Sequence, residues 1–149
     1  MNRIMKTDPA ADENAKYLGF AFQYINFIRD INEDIILGRQ YIPQEILDKN
    51  NLDKLDQKTT AHNPEAFQKV LNEIVNTYTK WQEIGLEGIS KIPRRRARIA
   101  IKTASDMYLW TSQQIRQNPS IIFERKVKPI KRQIILSLAK NSLMLPFGR

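Results

Sequence analysis

Residues 16–43, KYLGFAFQYINFIRDINEDIILGRQYIP, constrain the fold of this chain more than any other stretch. At roughly 100° per residue the segment reads as a helix over 16–37 that is apolar almost all round. Tyr17, Leu18, Phe20, Phe22, Ile25, Phe27, Ile28, Ile31, Ile35 and Ile36 make up most of its surface, and such a helix normally lies in the middle of a protein. Five residues interrupt that surface together. Gly19, Gln23, Asn26, Asp30 and Asp34 fall in one arc only about 80° wide. Unpaired polar groups on a buried helix are costly. The pattern therefore predicts that this stripe lines a polar cavity, where carboxylates and amide oxygens hold a hard cation such as Mg2+.

An Asp-x-x-x-Asp pair on a helix is most often a solvated face, but a solvated face should be polar more widely than this one. Arg29 beside the stripe and Arg39 just past Gly38 add positive charge at its margin and end. That combination suits a phosphate carried on a metal ion. On residue chemistry alone, a solvated face and a metal–diphosphate site both stand.

The order Gln23-x-x-Asn26-x-x-Arg29-Asp30-x-x-Glu33-Asp34, followed by Gly38-Arg39-x-Tyr41-x-Pro43, resembles the second aspartate-rich motif of the squalene and phytoene synthase family. Tyr108 in IKTASDMYLW and Arg125 in FERKVKP extend the resemblance to about Val127. They match a tyrosine late in a helix and an arginine in the following turn. The GRQYIP and ERKVKP segments lie nearer to phytoene than to squalene synthases.

The resemblance implies an all-α helical bundle, part of an isoprenoid synthase fold, and head-to-head joining of two prenyl diphosphates such as geranylgeranyl diphosphate. It implies Mg2+ held by Asn26, Asp30 and Asp34, with Asp30, Asp34 and Tyr41 in the catalytic set. Gln23, Arg29, Arg39, Tyr108 and Arg125 would contact diphosphate. Complete members carry two aspartate-rich motifs on facing helices, and only the second is recognisable here. Asp8 and Asp12 have acidic-pair spacing, but Pro9 and the polar surroundings of KTDPAADEN argue against a first motif. The expectation is a C-terminal half, inactive alone, completed by self-association or by another chain. A non-catalytic remnant or regulatory partner of a full-length synthase, and a squalene synthase-like activity, are the alternatives.

The chain has 149 residues and no cysteine, which permits one cored domain and excludes disulfides and thiolate metal sites. Five glycines, seven prolines and long 3.6-period segments argue for an all-α fold. No apolar run has the length of a membrane span and no signal-peptide core is visible, so a cytoplasmic protein is expected. Peripheral membrane contact stays open. The net charge of +8 suits nucleic acid, an anionic membrane surface or phosphorylated substrates. A basic nucleic-acid binder would explain the run from Arg94 to Arg98, but not the acidic and amide stripe, and no standard DNA-binding pattern is present. No nucleic-acid partner is expected.

In order, residues 1–13 read as a loose lead-in, and Gly38 as a left-handed cap. A short helix begins at Pro43 and ends at the Asn50–Asn51 pair, before a surface loop over 51–61 with one helical turn. Asn63-Pro64 opens the next helix, with Phe67, Leu71, Ile74, Tyr78 and Trp81 as its core stripe, loosened at its end by Gly85 and Gly88 and broken by Ile92-Pro93. A helix from about 93 to 117 should bury Ala97, Ala100, Ile101, Ala104, Tyr108 and Ile115 before Asn118-Pro119 stops it. A last helix over 131–141 carries Ile134, Ile135 and Leu138, and residues 142–149 read as an irregular tail.

Overall fold

A computed structural model describes residues 12–145. Most of the expected lead-in, with Asp8, and the last four residues of the expected tail lie outside them. The described residues are helical, without strands: α1 (Asp12–Arg29), α2 (Ile31–Ile36), α3 (Gln44–Lys49), α4 (Gln57–His62), α5 (Pro64–Glu87), a 3-10 turn (Ile89–Lys91), α6 (Arg95–Gln117), α7 (Ile121–Glu124) and α8 (Lys131–Met144). They fall into two compact units, one of residues 12–22, 79–110 and 129–145, the other of residues 23–78 and 111–128.

The expected single helix over 16–37 starts earlier and is interrupted at Asp30. There φ is −97° and ψ is 11°, a bridge-region geometry. The spacing of hydrogen bonds survives the interruption. The Asp30 N–H donates to the Asn26 carbonyl at 2.9 Å and the Asp34 N–H to the Asp30 carbonyl at 2.9 Å.

Burial all round the helix is not observed. Ala21, Ile25, Ile28 and Ile31 are buried, whereas Phe20 and Ile36 are 53% and 76% exposed. Periodicity reports which side chains are apolar, not which of them find a partner.

In the second unit, α2 ends as the sequence requires. Gly38 has φ +69°, its N–H donates to the Ile35 carbonyl at 2.9 Å, and the Arg39 N–H donates to the Asp34 carbonyl at 2.8 Å. This is a Schellman cap. The same pattern closes α3, with Asn51 at φ +55° and the Leu52 N–H reaching the Leu47 carbonyl at 3.0 Å.

The stretch expected as a surface loop is partly core, because Leu52 and Leu55 are buried. Asp56 then caps α4, accepting from the Thr59 N–H at 2.9 Å. The core stripe of α5 is buried at Phe67, Leu71, Ile74 and Tyr78, and Phe67 meets Phe123 of α7 at 5.7 Å between ring centres.

In the first unit, Gly85 and Gly88 do not loosen α5; they let α1 come close. A Cβ on Gly85 would stand 2.7 Å from Leu18 Cβ, and one on Gly88 would stand 2.5 Å from Asn14 Cβ. Asn14 Nδ2 donates to the Ile84 carbonyl at 2.7 Å, which fixes the crossing.

The buried face of α6 is also not the one expected. Ile115 is buried, but Ala100 is exposed and Ala97, Ile101, Ala104 and Tyr108 are half-buried. The buried positions are largely polar: Arg98, Thr103, Ser105, Thr111 and Ser112.

Hydrogen bonds satisfy part of that polar face. Gln82 Nε2 donates to the Ser105 carbonyl at 2.8 Å, and Asn141 Nδ2 donates to Thr103 Oγ1 at 3.2 Å. α8 thus docks by polar side chains, runs on to Met144 through the start of the expected tail, and leaves Ile134, Ile135 and Leu138 exposed.

Candidate functional site

Asn26, Asp30 and Asp34 stand at successive four-residue steps, tied by the two backbone bonds that cross the interruption. Side chains at such steps share a face. Gln23 continues the stripe and is exposed, while Asn26, Asp30 and Asp34 are half-buried. The stripe is therefore open to solvent and not fully buried as the sequence suggests.

Asp30 is the most heavily engaged of the four. Arg29 forks onto it, with Nε donating to Oδ1 at 2.8 Å and Nη2 to Oδ2 at 2.7 Å. Lys126 Nζ lies 3.1 Å from Asp30 Oδ1 and 2.6 Å from Glu33 Oε2. Partial burial alone would raise the Asp30 carboxyl. The hydrogen bonds from Arg29 and then Lys126 outweigh it and hold the group below its ordinary value. On Lys126 the two carboxylates act together, Glu33 first and then Asp30, and push the ammonium up.

Asp34 borders a cleft with Phe27, Ile31, Arg39, Tyr41 and Leu55. Tyr41 stacks on Phe27, with ring centres 4.3 Å apart and planes at 9°. This contact draws the segment after Gly38 back along the helix. Arg39 is exposed beside it.

Arg125 is exposed at the end of α7, in extended backbone with φ −162° and ψ 157°. Successive side chains of an extended segment leave in opposite directions, and it is Lys126, not Arg125, that reaches Asp30. Tyr108 belongs to the first unit, where it packs on Phe22 at 4.9 Å between ring centres.

Of the residues singled out in the sequence, the second unit holds Gln23, Asn26, Arg29, Asp30, Asp34, Arg39, Tyr41 and Arg125. The sequence reading missed Lys126 as a partner of Asp30 and gave Glu33 no role. The signal lay in the -x-x-Glu33-Asp34 spacing and in the cationic run after Glu124, but no local pattern joins segments 93 residues apart.

The donor chemistry fits a hard cation. Asp30 is held ionised, and Asn26 and Asp34 offer further oxygens on the same face. Among the described residues no three His, Cys, Asp or Glu side chains cluster closely enough to hold an ion. Mg2+ bound through one or two carboxylates, with phosphate and water completing its shell, needs no such cluster. No helix among the described residues is long and apolar enough to cross a membrane.

A family model described as squalene/phytoene synthase matches residues 1–133. A phytoene synthase of Mycobacterium bovis is 28% identical over 120 residues, 79% of this chain and 39% of the relative. A 15-cis-phytoene synthase of Enterobacter agglomerans is 31% identical over 119 residues, 80% of this chain and 40% of the relative. A presqualene diphosphate synthase of Rhodopseudomonas palustris is 42% identical over 55 residues, 36% of this chain and 20% of the relative. The chain spans less than half the length of these relatives.

Proposed function

Given that the chain belongs to the squalene/phytoene synthase family, we propose that it carries one metal–diphosphate half-site for phytoene-type, head-to-head condensation of prenyl diphosphates. The observation that carries this reading is the Asn26–Asp30–Asp34 face with cations at its edge. The names of the relatives favour the phytoene branch.

In this reading Asn26, Asp30 and Asp34 supply oxygen ligands, and Gln23 extends their face. Mg2+, when bound, neutralises charge on the departing diphosphate. Arg29 keeps Asp30 ionised and aimed. Arg39 and Arg125 are exposed guanidinium groups, suited to fork onto phosphate oxygens. Tyr41, held flat on Phe27, gives the site a rigid wall. The exposed apolar surface of Ile36 would keep water from the allylic cation once covered, by a second copy or by another chain.

Calorimetric titration of the full chain with inorganic diphosphate, with and without Mg2+, tests the site. Binding should require both components and weaken about tenfold or more in Asp30→Asn and in Asp34→Asn, the loss expected when one of a few charged ligands is removed. Equal binding by both variants, with helicity unchanged, overturns the reading. A phytoene assay tests the reaction. The chain alone should give no product from geranylgeranyl diphosphate, and product should appear when a second acidic stripe is supplied in trans. Product from the monomeric chain alone overturns the half-site description.

A further inference from the structure

Asp30 has both carboxylate oxygens occupied by cations, but the two cations are held in different ways. Arg29 is its chain neighbour and grips it as a planar fork, so the pair stays together whatever else approaches. Lys126 arrives from a separate segment and binds as a single point charge. It spans Asp30 and Glu33 at 3.1 and 2.6 Å on a side chain that remains 30% exposed. A divalent ion seated on Asp30 would face both positive charges at once, and only Lys126 has the reach and freedom to withdraw.

We propose that Lys126 is an exchangeable counterion of the acidic stripe, holding Asp30 and Glu33 in the resting protein and transferring to diphosphate when a metal–diphosphate pair binds. This rests on the reading of Asp30 and Asp34 as metal ligands. Its consequence is a division of sign. Before diphosphate arrives the ammonium competes with the metal. Afterwards it adds to the charge that holds the anion. Mg2+ alone is then kept off the stripe, and the metal enters together with its anion. Glu33 has a defined part as the second arm that parks Lys126 beside Asp30.

The test is calorimetry on the full chain, comparing wild type with Lys126→Gln, Lys126→Arg and, as reference, Asp30→Asn. Lys126→Gln should bind Mg2+ alone about two- to fivefold more tightly, the size expected for one partly exposed charge. It should bind inorganic diphosphate in the presence of Mg2+ more weakly by a similar factor. Lys126→Arg should restore much of the diphosphate affinity. A merely structural Lys126 would shift both affinities the same way or neither. Either result overturns the proposal, provided Asp30→Asn still weakens diphosphate binding about tenfold or more. If Asp30→Asn binds as wild type does, the metal-site reading itself has failed, and the proposal falls with it.

Discussion

Leu18 Cβ sits 2.7 Å from the point where a side chain on Gly85 would begin, and the Leu18 backbone nitrogen is at 2.8 Å. Because backbone atoms form the obstacle, a rotamer change cannot relieve it.

Gly85→Ala should therefore destabilise the protein despite better helix propensity. The propensity gain is about 1 kcal/mol. Forcing two helices apart typically costs about 1–3 kcal/mol, and the backbone contact argues for the upper part of that range. Gly19 provides the control. It lies inside α1, is exposed and has nothing within 4 Å of a built Cβ, so Gly19→Ala should stabilise by about 0.5–1 kcal/mol. Urea unfolding of both variants should give opposite signs; matching signs would contradict the described crossing.

Gly38 separates conformation from space. Its φ of +69° suits glycine, yet a Cβ there would meet nothing within 4 Å. Gly38→Ala should cost about 1–2 kcal/mol from backbone strain alone, and Gly38→Asn clearly less, because asparagine tolerates the left-handed region. Thermal unfolding of the two variants ranks them. An alanine no worse than asparagine would mean the Schellman cap is not formed in solution.

What could be read from the sequence is what depends on local backbone chemistry. Gly38, the Asn50–Asn51 pair, Asn63-Pro64 and Asn118-Pro119 all mark helix ends where expected, since each acts on its own φ, ψ or missing N–H, whereas α5 already ends at Glu87, ahead of Ile92-Pro93. The acidic stripe was visible for the same reason, as it follows from helical spacing. The partners were not. Nothing near Lys126 in the chain announces Asp30, and nothing near Gly85 announces Leu18. The face of α6 differs from the expected one because its buried Thr103 hydroxyl accepts from Asn141 and its Ser105 backbone carbonyl from Gln82, which no periodicity reports.

Leu55 tests the part of the expected loop that turned out to be core. It is 2% exposed and borders the cleft shared by Asp34 and Tyr41. Leu55→Ala should cost about 2–5 kcal/mol, whereas Asp53→Ala, on an exposed side chain two residues earlier, should stay within about 0.5 kcal/mol. Denaturant midpoints decide it. Equal small effects would mean the segment is a surface loop after all.

The docking of α8 should be acid-labile through Asp106. Its carboxylate accepts from Ser137 Oγ at 3.0 Å and Asn141 Nδ2 at 2.8 Å, both on α8, and pairs with Lys102 on its own helix. Partial burial alone would raise this carboxyl, but the bonds from Lys102 and Asn141 outweigh it and hold it below the ordinary value. A folded-state pKa below the unfolded one means the contribution is complete above about pH 4, the unfolded range for aspartate. It is lost as pH falls through the depressed value. Asp106→Asn keeps the shape but loses the charge, and at pH 7 should destabilise by about 1–3 kcal/mol. The difference between wild type and variant should shrink steadily below about pH 4, which separates Asp106 from the other carboxylates titrating there. Hydrogen exchange of the amides over 131–144 should show protection lost in the variant at neutral pH and in wild type only in acid. A stability difference that stays undiminished as pH falls below about 4, the unfolded range for aspartate, would show that Asp106 does not hold α8 through its charge.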